Sequence, residues 1–471
     1  MEDFINKAVN SFTGFLSTNK TNLKESKAAS PIVSFAQEVE GIDLTGKVDY
    51  LIKYYEKSFY FEKPDADFSF IGIDEIISIT ENGDRRFAAT DKKIKELKNN
   101  FINNWDSISL QNKPLFVGGM KFNVEHQDDD WKDFGDSIWS VPELIIVKDK
   151  NDFYIFYNFI YNSTLSEENL TEKFKGKLEN IIKPSIEKKP ENIKIHKLTG
   201  NSPKDKKKWK NLVNNCLENI YNNKIDKIVV SRRIEMLLSG ELNLNNALGH
   251  FKENYRECFL FIFHRGKSSF FGATPERLVK FYNGILQIEA LAGSASRGKT
   301  EEEDLVFERN LLNSEKDIRE HDFVVNHITD SISTHVEELT IDKKHSIKKL
   351  NNIQHISTSI SAKMNSHNTP LNIVKELFPT PAVCGIPKEV SLNLIKKFEN
   401  YYRGLYSGII GWFNFNDEGE FAVAIRSALT YGNKLIAFAG CGIVEKSDPD
   451  LEYEETELKL KPILSIFNEN Q

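Results

Sequence analysis

The sequence feature that most constrains the fold is a succession of short apolar runs separated by brief polar turns. Among them are "FSFIGIDEI" at 68–76, "KIVVS" at 227–231, "CFLFIFH" at 258–264 and "SSFFGA" at 268–273. Short runs rich in Ile, Val and Phe are typical of β-strands. Because turns this brief leave no room for a crossover helix, the succession favours antiparallel pairing. We therefore expect the chain to build antiparallel β-sheets.

Helical patterns lie among these strands. The clearest is at 202–223, where Ser202 is a candidate N-cap and the apolar residues recur with the period of a helix. Helical patterns return at 301–338 and 388–402, and the acidic stretch at 450–461 closes the series. Helices and antiparallel strands in one chain predict an α+β protein.

The domain organisation follows from changes in composition along the chain. Residues 31–471 are expected to form one domain, with a more variable half at 31–200 and a catalytic half at 201–471. The polar, proline-containing stretch between the halves is interpreted as either a linker or a surface loop. Residues 1–30 alternate Lys, Asn, Ser and Thr, which predicts a poorly ordered arm. A weak amphipathic pattern at 4–12 leaves a short helix there as the alternative.

Charge and cysteine usage limit the functional classes. The net charge is −7, and lysines are interspersed with acids, so no basic field indicates a nucleic-acid partner. The longest apolar run, "FLFIF" at 259–263, is too short to span a bilayer. The acidic N-terminus is unlike a secretory signal, and the four cysteines form no CxxC pair. These features predict a cytoplasmic protein without a membrane or nucleic-acid partner.

The acidic stretch "DLEYEETELKLK" near the end of the chain divides into two faces when it is placed on a helix. Glu452, Glu455 and Lys459 share a face that is flanked by apolar residues, whereas Glu454 and Glu457 lie on the opposite, solvated face. Charges framed by apolar surface are costly unless they are paired or bound to a metal. A Glu455–Lys459 ion pair at i, i+4 is the simpler interpretation.

A second pair of acids lies in "NSEKDIREHDFVV". Asp317 and Glu320 are three residues apart, so they share a helix face. Two helices that each offer a pair of acids could supply the oxygen ligands of Mg²⁺, which needs one or two direct carboxylates plus waters and substrate oxygens. Either pair alone has the spacing that any acidic helix shows by chance.

Three single residues also have a functional and a structural interpretation. Lys227 begins a β-branched strand that would partly desolvate its amine and make it a usable base, although an edge-strand lysine is the commoner case. Glu276 follows Pro275 at a turn, where a surface glutamate is the default and a general acid the sharper hypothesis. For His355, a satisfied core histidine is the commoner case. The small-residue loops "LAGSASRG" and "AGCGIV" match neither nucleotide-binding fingerprint.

Taken in order, these pieces resemble the chorismate-utilising enzymes, most closely the isochorismate synthases. The matching stretches are "KIVVSRR", "FFGATPERLV", "IEALAGSASRG", "SEKDIREHDFVV", "IQHISTSI", "LFPTPAVCGIPKE", "RGLYSGIIGWFNF", "EFAVAIRSAL", "AFAGCGIVEKSDP" and "EYEETELKLKPIL". They cover about residues 225–465 without interruption. The resemblance implies one α+β domain in which two large antiparallel sheets pack as a sandwich, with helices outside and the site between the sheets.

The resemblance also implies a role for particular residues. Lys227 matches the family's general base, and Glu276 matches its general acid. The acids that match the Mg²⁺ site are Glu320 and Glu455 as ligands, with Asp317 and Glu452 as supports that act through water. The positions that match substrate contacts are Gly293, Ser294, His355, Thr380, Tyr406, Arg426, Gly440, Gly442 and Lys459.

A few residues depart from the family pattern. Phe378 and Cys384 replace the usual His and Gly of the "PTPAV" loop, and Cys441 stands where Ala is usual. Asp317 stands where a longer Glu is usual, which shortens the reach of that supporting acid. None of the first three carries a matched catalytic role, so activity is expected to survive.

The implied reaction is the Mg²⁺-dependent conversion of chorismate to isochorismate, which feeds menaquinone or siderophore biosynthesis. Salicylate synthases share Lys227 and Glu276 and go on to eliminate pyruvate, so that activity is the alternative. Ammonia-using relatives carry Gln at the Lys227 position or a nucleophilic lysine where this chain has Ala292, which makes them less favoured. A catalytically dead binding subunit is the non-enzymatic alternative. A monomer without a glutaminase subunit is expected.

Overall fold

The structure is a computed structural model, and its described residues are 2–25, 30–40, 47–124, 129–162, 164–182, 193–349 and 353–467. Most of the polar stretch between the two halves lies outside these ranges. The linker interpretation therefore stays untested.

The α-helices are α1 Glu2–Thr18, α2 Lys20–Glu25, α3 Val48–Tyr54, α4 Arg86–Lys98, α5 Glu167–Ile182, α6 Pro203–Tyr221, α7 Leu244–Asn254, α8 Glu301–Leu312, α9 Glu315–Ile332, α10 Pro370–Leu377, α11 Lys388–Phe398 and α12 Pro449–Leu464. Ser202 caps α6 as predicted, because its hydroxyl accepts a hydrogen bond from the Asp205 amide. The helical pattern predicted at 301–338 is wrong at its end, where the chain leaves α9 and becomes a strand.

The strands of the first half are β1 Ile32–Val39, β2 Lys57–Lys63, β3 Phe68–Ile73, β4 Ile77–Glu81, β5 Phe101–Asn103, β6 Phe116–Met120, β7 Ser137–Val141, β8 Leu144–Asp149, β9 Asp152–Ile160 and β10 Ile195–Thr199. Those of the second half are β11 Lys227–Leu238, β12 Phe259–Arg265, β13 Ser268–Thr274, β14 Arg277–Tyr282, β15 Ile285–Ser296, β16 Val336–Ile341, β17 Ser346–Lys349, β18 Ile353–Met364, β19 Gly385–Ile386, β20 Ile409–Phe413, β21 Gly419–Val423, β22 Ser427–Tyr431 and β23 Lys434–Ile443.

The strands form two large sheets, and each sheet draws strands from both halves of the chain. The larger runs β10-β11-β23-β22-β13-β12-β2-β3-β8-β9-β1-β5, with β19 beside β11. The smaller runs β16-β18-β15-β14-β21-β20-β6-β7-β4, with β17 beside β18. Apart from the parallel β1–β5 pair, the strand pairs of the described residues are antiparallel. The predicted α+β architecture is confirmed.

Alternation along the strands explains the two cores. In β12, Phe259, Phe261 and Phe263 join the core between the sheets, whereas Leu260 and Ile262 join the core on the other face of the larger sheet. Contact between the sheets is direct: the rings of Phe70 and Trp412, one from each sheet, lie 6.4 Å apart. The outer core is covered by helices, among them α1, α3, α5 and α7.

The expectation of a poorly ordered arm is wrong for residues 2–25, which form α1 and α2. Phe12 is fully buried, and its ring lies 5.2 Å from that of Phe35 on β1 and 4.9 Å from that of Phe174 on α5. Because burying a phenyl ring is worth about 2–3 kcal/mol, this one contact site outweighs the polar composition of the segment. The weak amphipathic pattern was the informative signal.

Candidate active site

The predicted base lies where two antiparallel strands pair. Lys227 is the first residue of β11, and the neighbouring β23 carries Gly440 and Gly442. A Cβ atom at Gly442 would lie 2.9 Å from Lys227 Cε, and one at Gly440 would lie 3.2 Å from the Tyr406 hydroxyl oxygen. Glycine in a strand permits such close approach. Because the two glycines have no side chains, Lys227 and Tyr406 lie directly against the backbone of β23.

The predicted acid lies at the turn where the chain passes from the larger sheet to the smaller one. The Thr274 hydroxyl accepts a hydrogen bond from the Glu276 amide (3.3 Å) and donates one to the Val423 carbonyl (2.6 Å). The Val423 amide in turn donates to the Glu276 carbonyl (3.0 Å). At the other end of the residue, the Thr380 hydroxyl donates to Glu276 Oε1 over 3.4 Å. Backbone and carboxyl of the acid are both held.

The environment of Glu276 changes its protonation. Burial raises the pKa of Glu276 from 4.5 to about 7, while Thr380 and the positive charges of Lys227, Lys459 and Arg426 act in the opposite direction. The Glu276 side chain is half-buried and is surrounded mostly by protein. Desolvation therefore raises its pKa by more than the nearby cations lower it. A carboxyl with this pKa is largely protonated below pH 7, which is the state that a general acid needs.

The remaining polar side chains of the site include an arginine and a histidine. Arg426 follows β21 with φ +52°, in the left-handed region that few non-glycine residues adopt. His355 Nδ1 lies 2.8 Å from the Ser294 hydroxyl oxygen. Burial, aided by the charge of Arg426, lowers the pKa of His355 to about 4. The imidazole is therefore neutral at physiological pH, and its ring nitrogens are uncharged hydrogen-bonding groups.

The first pair of acids is carried by α9. The Ser314 hydroxyl caps this helix by accepting a hydrogen bond from the Asp317 amide (3.3 Å). Gly293 has φ +71°, and a Cβ atom there would lie 3.1 Å from Asp317 Cβ, so β15 approaches α9 closely at this point. Glu320 lies one turn further on, and its Oε1 is 3.6 Å from Lys227 Nζ. One of the predicted metal ligands thus faces the predicted base.

The second pair of acids is carried by α12, which packs against β23. The predicted division of its faces agrees with Lys459, whose Nζ donates to the Gly440 carbonyl (3.0 Å) while it forms an ion pair with Glu455 (2.5 Å). The i, i+4 ion pair is therefore present, and the anion-binding role of Lys459 stays a prediction. The interpretation of Glu457 as a solvated glutamate is wrong, because it pairs with the buried Arg232.

The four acids have the donor chemistry of a Mg²⁺ site, since all their ligand atoms are carboxylate oxygens. Glu452 Oε2 is buried and has no hydrogen-bond partner. Burial raises the pKa of Glu452, and the charge of Glu455 raises it further. These two observations fit a cation at this place. In the described part of the chain, no group of three or more His, Cys, Asp or Glu side chains is gathered closely enough to hold a metal, so the four acids do not form one cluster in this structure.

The catalytic and substrate positions predicted from the sequence share one site. Lys227, Lys459 and Arg426 all influence the charge of Glu276, and Arg426 and Lys459 also influence His355. Thr380 contacts Glu276, and Ser294 contacts His355. The other positions are glycines and a tyrosine: Gly442 approaches Lys227, Gly440 lies between Lys459 and Tyr406, and Gly293 approaches Asp317 on α9.

Sequence analysis missed a buried network behind the site. Glu399 and Arg403 form an ion pair in which each side chain is 2% exposed. Arg403 also donates to the carbonyls of Val383 and Val229, and Glu399 accepts from Ser231. The i, i+4 spacing of the pair was the available signal, but the same spacing is common on exposed helices.

A cavity of about 530 Å³ lies on this network and not at the predicted site. Its lining residues are Asn123, Asp129, Arg233, Ile395, Lys396, Glu399, Asn400, Tyr401, Tyr402 and Arg403. None of the predicted site residues is among them. This cavity therefore does not enclose the predicted acid, base or metal ligands.

Comparison with known proteins identifies the family of this chain. A family model described as chorismate binding enzyme matches residues 17–468, nearly the whole chain. This chain belongs to the chorismate binding enzyme family. Isochorismate synthase MenF of Bacillus subtilis is 28% identical to it over 443 residues, which cover 93% of each protein. The salicylate biosynthesis isochorismate synthase of Pseudomonas aeruginosa is 28% identical over 408 residues, which cover 85% of this chain and 83% of that protein.

The fold of this chorismate binding enzyme is also that of a solved structure. MenF, the menaquinone-specific isochorismate synthase of Escherichia coli, superposes with a TM-score of 0.78 at 20% identity, over 96% of this chain and 98% of that one. At this identity the likeness establishes the fold.

Three of the four departures of this family member from the usual pattern lie in the core. Phe378, Cys384 and Cys441 are all buried. Phe378 packs against the rings of Phe87 and Phe122. Phe378 and Cys384 fill core space, whereas Cys441 lies beside one of the acids on α12. Among the described residues, no helix has the length and apolar character that a membrane crossing requires.

Proposed function

We propose that this chorismate binding enzyme is an isochorismate synthase. It would convert chorismate to isochorismate by adding water at ring carbon 2 with loss of the hydroxyl at ring carbon 4. The observation that carries the proposal is that the Lys227 amine lies close enough to the Glu276 carboxyl for its charge to act on it, while burial raises the pKa of that carboxyl to about 7. The names of the relatives in Bacillus subtilis and Pseudomonas aeruginosa support the same reaction.

Acid and base act on opposite parts of this reaction. Lys227 Nζ would accept a proton from the water that attacks carbon 2. Glu276, protonated and held by Thr380, would donate its proton to the hydroxyl that leaves carbon 4. General acid–base catalysis of this kind contributes roughly 10²- to 10⁴-fold to a rate.

The substrate carries two carboxylates, and the site offers cations for them. Arg426 would bind the enolpyruvyl carboxylate through its planar guanidinium, and Lys459 would assist. Tyr406 would add its hydroxyl as a donor above Gly440. Because His355 is neutral, it would contact the substrate ring without adding another charge.

The cofactor that we propose is Mg²⁺. Glu320 and Glu455 would hold it, with Asp317 and Glu452 as supports, and it would neutralise the ring carboxylate of the substrate. Both direct ligands are ion-paired to lysines in this structure. Binding the cation would therefore release Lys227 and Lys459 for the substrate.

Salicylate synthase is the second candidate, since such enzymes share Lys227 and Glu276 and then eliminate pyruvate. The isochorismate synthase activity is favoured because the two relatives above are both named as isochorismate synthases. The ammonia-using branches are disfavoured by Lys227 and Ala292, as argued from the resemblance. We further propose a stand-alone cytoplasmic monomer that needs no glutaminase subunit and serves menaquinone or siderophore biosynthesis.

The direct test is to incubate the purified protein with chorismate and Mg²⁺ and to separate the products by chromatography. We expect isochorismate without pyruvate. Salicylate together with pyruvate would replace the proposal by salicylate synthase, and tight chorismate binding without turnover would make the protein a non-catalytic relative.

A matched pair of lysine variants tests the role of the base. Lys227→Ala should abolish turnover while the protein stays folded. Lys224→Ala, which changes an exposed lysine three residues earlier, should leave turnover unchanged. Full activity in Lys227→Ala would refute the assignment of the base.

A further inference from the structure

The buried ion pair between Glu399 and Arg403 lies outside the proposed chemistry and carries several hydrogen bonds. Arg403 Nε donates to Glu399 Oε2 (2.9 Å), and Arg403 Nη2 donates to Glu399 Oε1 (2.6 Å). The guanidinium also lies over the ring of Phe122, at 4.4 Å from its centroid. Replacing a buried ion pair by apolar residues is often neutral or stabilising, so stability alone does not account for this pair.

The remaining donors of Arg403 reach two neighbouring segments, β11 and the loop before β19, which are also joined directly where the Val229 amide donates to the Cys384 carbonyl (2.8 Å). Arg403 Nη1 donates to the carbonyl of Val383, and Arg403 Nη2 donates to the carbonyl of Val229, both at 2.8 Å. Glu399 Oε1 makes a second contact with β11, because it accepts hydrogen bonds from the amide (2.7 Å) and the hydroxyl (2.9 Å) of Ser231. One rigid fork therefore joins β11 to the loop at 380–384.

Each of these two segments leads directly to a proposed catalytic group. Val229 lies two residues after Lys227 on β11. On the loop, the amides of Val383 and Cys384 donate to the carbonyl of Thr380 (3.1 and 3.0 Å). The Thr380 hydroxyl donates to Glu276. A short chain of contacts thus runs from the base through Arg403 to the acid.

We propose that Arg403, held in place by Glu399, is a positioning residue that fixes the distance between the Lys227 amine and the Glu276 carboxyl. The proposal rests on the acid–base function proposed above. Its physical basis is that a misplacement of reacting groups by about 1 Å can cost roughly 100-fold in rate. A lysine at this position would keep the charge but lose the fork, so it could not reach Glu399, Val383 and Val229 together.

The chain offers a matched control in Arg232. This arginine is also buried and multiply hydrogen-bonded, but it serves the other side of the site. Arg232 Nε donates to the Thr456 hydroxyl (2.7 Å), and Arg232 Nη2 pairs with Glu457, so it fixes α12 and its substrate- and metal-facing residues. Loosening α12 should weaken binding, whereas loosening the link between β11 and the loop should slow the chemical step.

The experiment compares steady-state kinetics of wild type, Arg403→Lys and Arg232→Lys with chorismate at saturating Mg²⁺. For Arg403→Lys we expect kcat to fall roughly 10- to 100-fold with little change in KM. For Arg232→Lys we expect the larger change in KM. A kcat for folded Arg403→Lys within twofold of wild type, or the same pattern of change in both variants, would overturn the proposal.

The pH profile gives a second readout that a purely structural role would not move. The groups facing Glu276 are Thr380, Lys227, Lys459 and Arg426. The Thr380 hydrogen bond lowers the pKa of Glu276, so a displaced loop should move the alkaline limb of kcat to higher pH in Arg403→Lys. An unmoved limb would contradict a link to Thr380.

Ser231→Ala keeps the test decisive if Arg403→Lys does not fold. It removes the hydrogen bond from the Ser231 hydroxyl to Glu399 and should lower kcat to a smaller degree, again with KM unchanged. An unchanged kcat would count against the link. Wild-type turnover in the same assay tests the proposed function separately. An inactive wild type refutes that function, whereas active wild type with fully active variants refutes only the role of Arg403.

Discussion

The candidate site has an acid side, which carries Glu276 and His355, and a metal side, which carries Glu320 and Glu455. The two sides differ in how far the protein encloses their ionisable side chains. On the acid side, burial raises the pKa of Glu276 and lowers the pKa of His355, so both side chains favour their neutral forms. On the metal side, Glu320 and Glu455 stay close to solvent, with side chains 41% and 47% exposed. On the acid side, burial therefore sets the protonation state of the two side chains. The two carboxylates that we assign as metal ligands remain accessible to solvent and are paired with lysines.

The largest effect should come from removing the proton donor on the acid side. Glu276→Gln keeps the size and the Thr380 contact but cannot donate a proton, so kcat should fall roughly 10²- to 10⁴-fold. Glu454→Gln, which changes an exposed glutamate of α12, is the control and should retain full kcat. Chromatographic assay of isochorismate measures both. Activity of Glu276→Gln near that of the control would show that another group protonates the leaving hydroxyl.

A weaker effect of a different kind is expected on the metal side. Glu452→Gln removes the buried, unpartnered carboxylate oxygen that we assign as a support of the cation. Loss of such a support typically costs about 10- to 100-fold in metal affinity. The Mg²⁺ concentration for half-maximal activity should rise by that factor, while kcat at saturating Mg²⁺ changes little. An unchanged Mg²⁺ requirement would place the cation elsewhere.

The pH dependence of turnover separates the two sides further. Because the general acid must be protonated, and burial raises the pKa of Glu276 to about 7, kcat/KM should fall as pH rises above 7. For one titrating group the fall is about tenfold per pH unit. A profile that stays flat to pH 9 in wild type would rule out Glu276 as the donor.

Part of this comparison could be predicted from the sequence and part could not. The face of α12 that carries Glu452, Glu455 and Lys459 follows from helix geometry, because side chains at i, i+3 and i+4 share a direction. The pairing of Glu457 with Arg232 could not be predicted, since the two are separated by 225 residues and only the tertiary fold joins them.

Strand positions and strand partners differ in the same way. The alternating apolar pattern predicted β11 and β23, but not that they lie side by side, although that pairing places Lys227 over Gly442. A strand's residues specify its faces and leave its neighbour open. The helix α1 shows the opposite case. Its polar composition predicted a poorly ordered arm, but the fold buries Phe12 completely.

The smallest effect concerns stability, and it has the opposite sign to the effect on activity. The folded-state pKa of Glu276 lies above its ordinary value of 4.5, so its contribution to stability is fully present below pH 4.5 and is lost as pH rises through about 7. Ionised Glu276 therefore destabilises the fold at alkaline pH by at most about 3 kcal/mol. Because the site admits water, we expect ~1–2 kcal/mol.

Glu276→Gln cannot ionise, so it should unfold a few degrees above wild type at pH 8.5 and at the same temperature as wild type at pH 4.5. Thermal unfolding at the two pH values measures this. The metal-side variant Glu452→Gln should give a smaller gain, because that carboxylate is less enclosed by protein. If Glu276→Gln is no more stable than wild type at pH 8.5, the carboxyl is already ionised at little cost in the folded enzyme. The distinction between an enclosed acid side and an accessible metal side would then have to be abandoned.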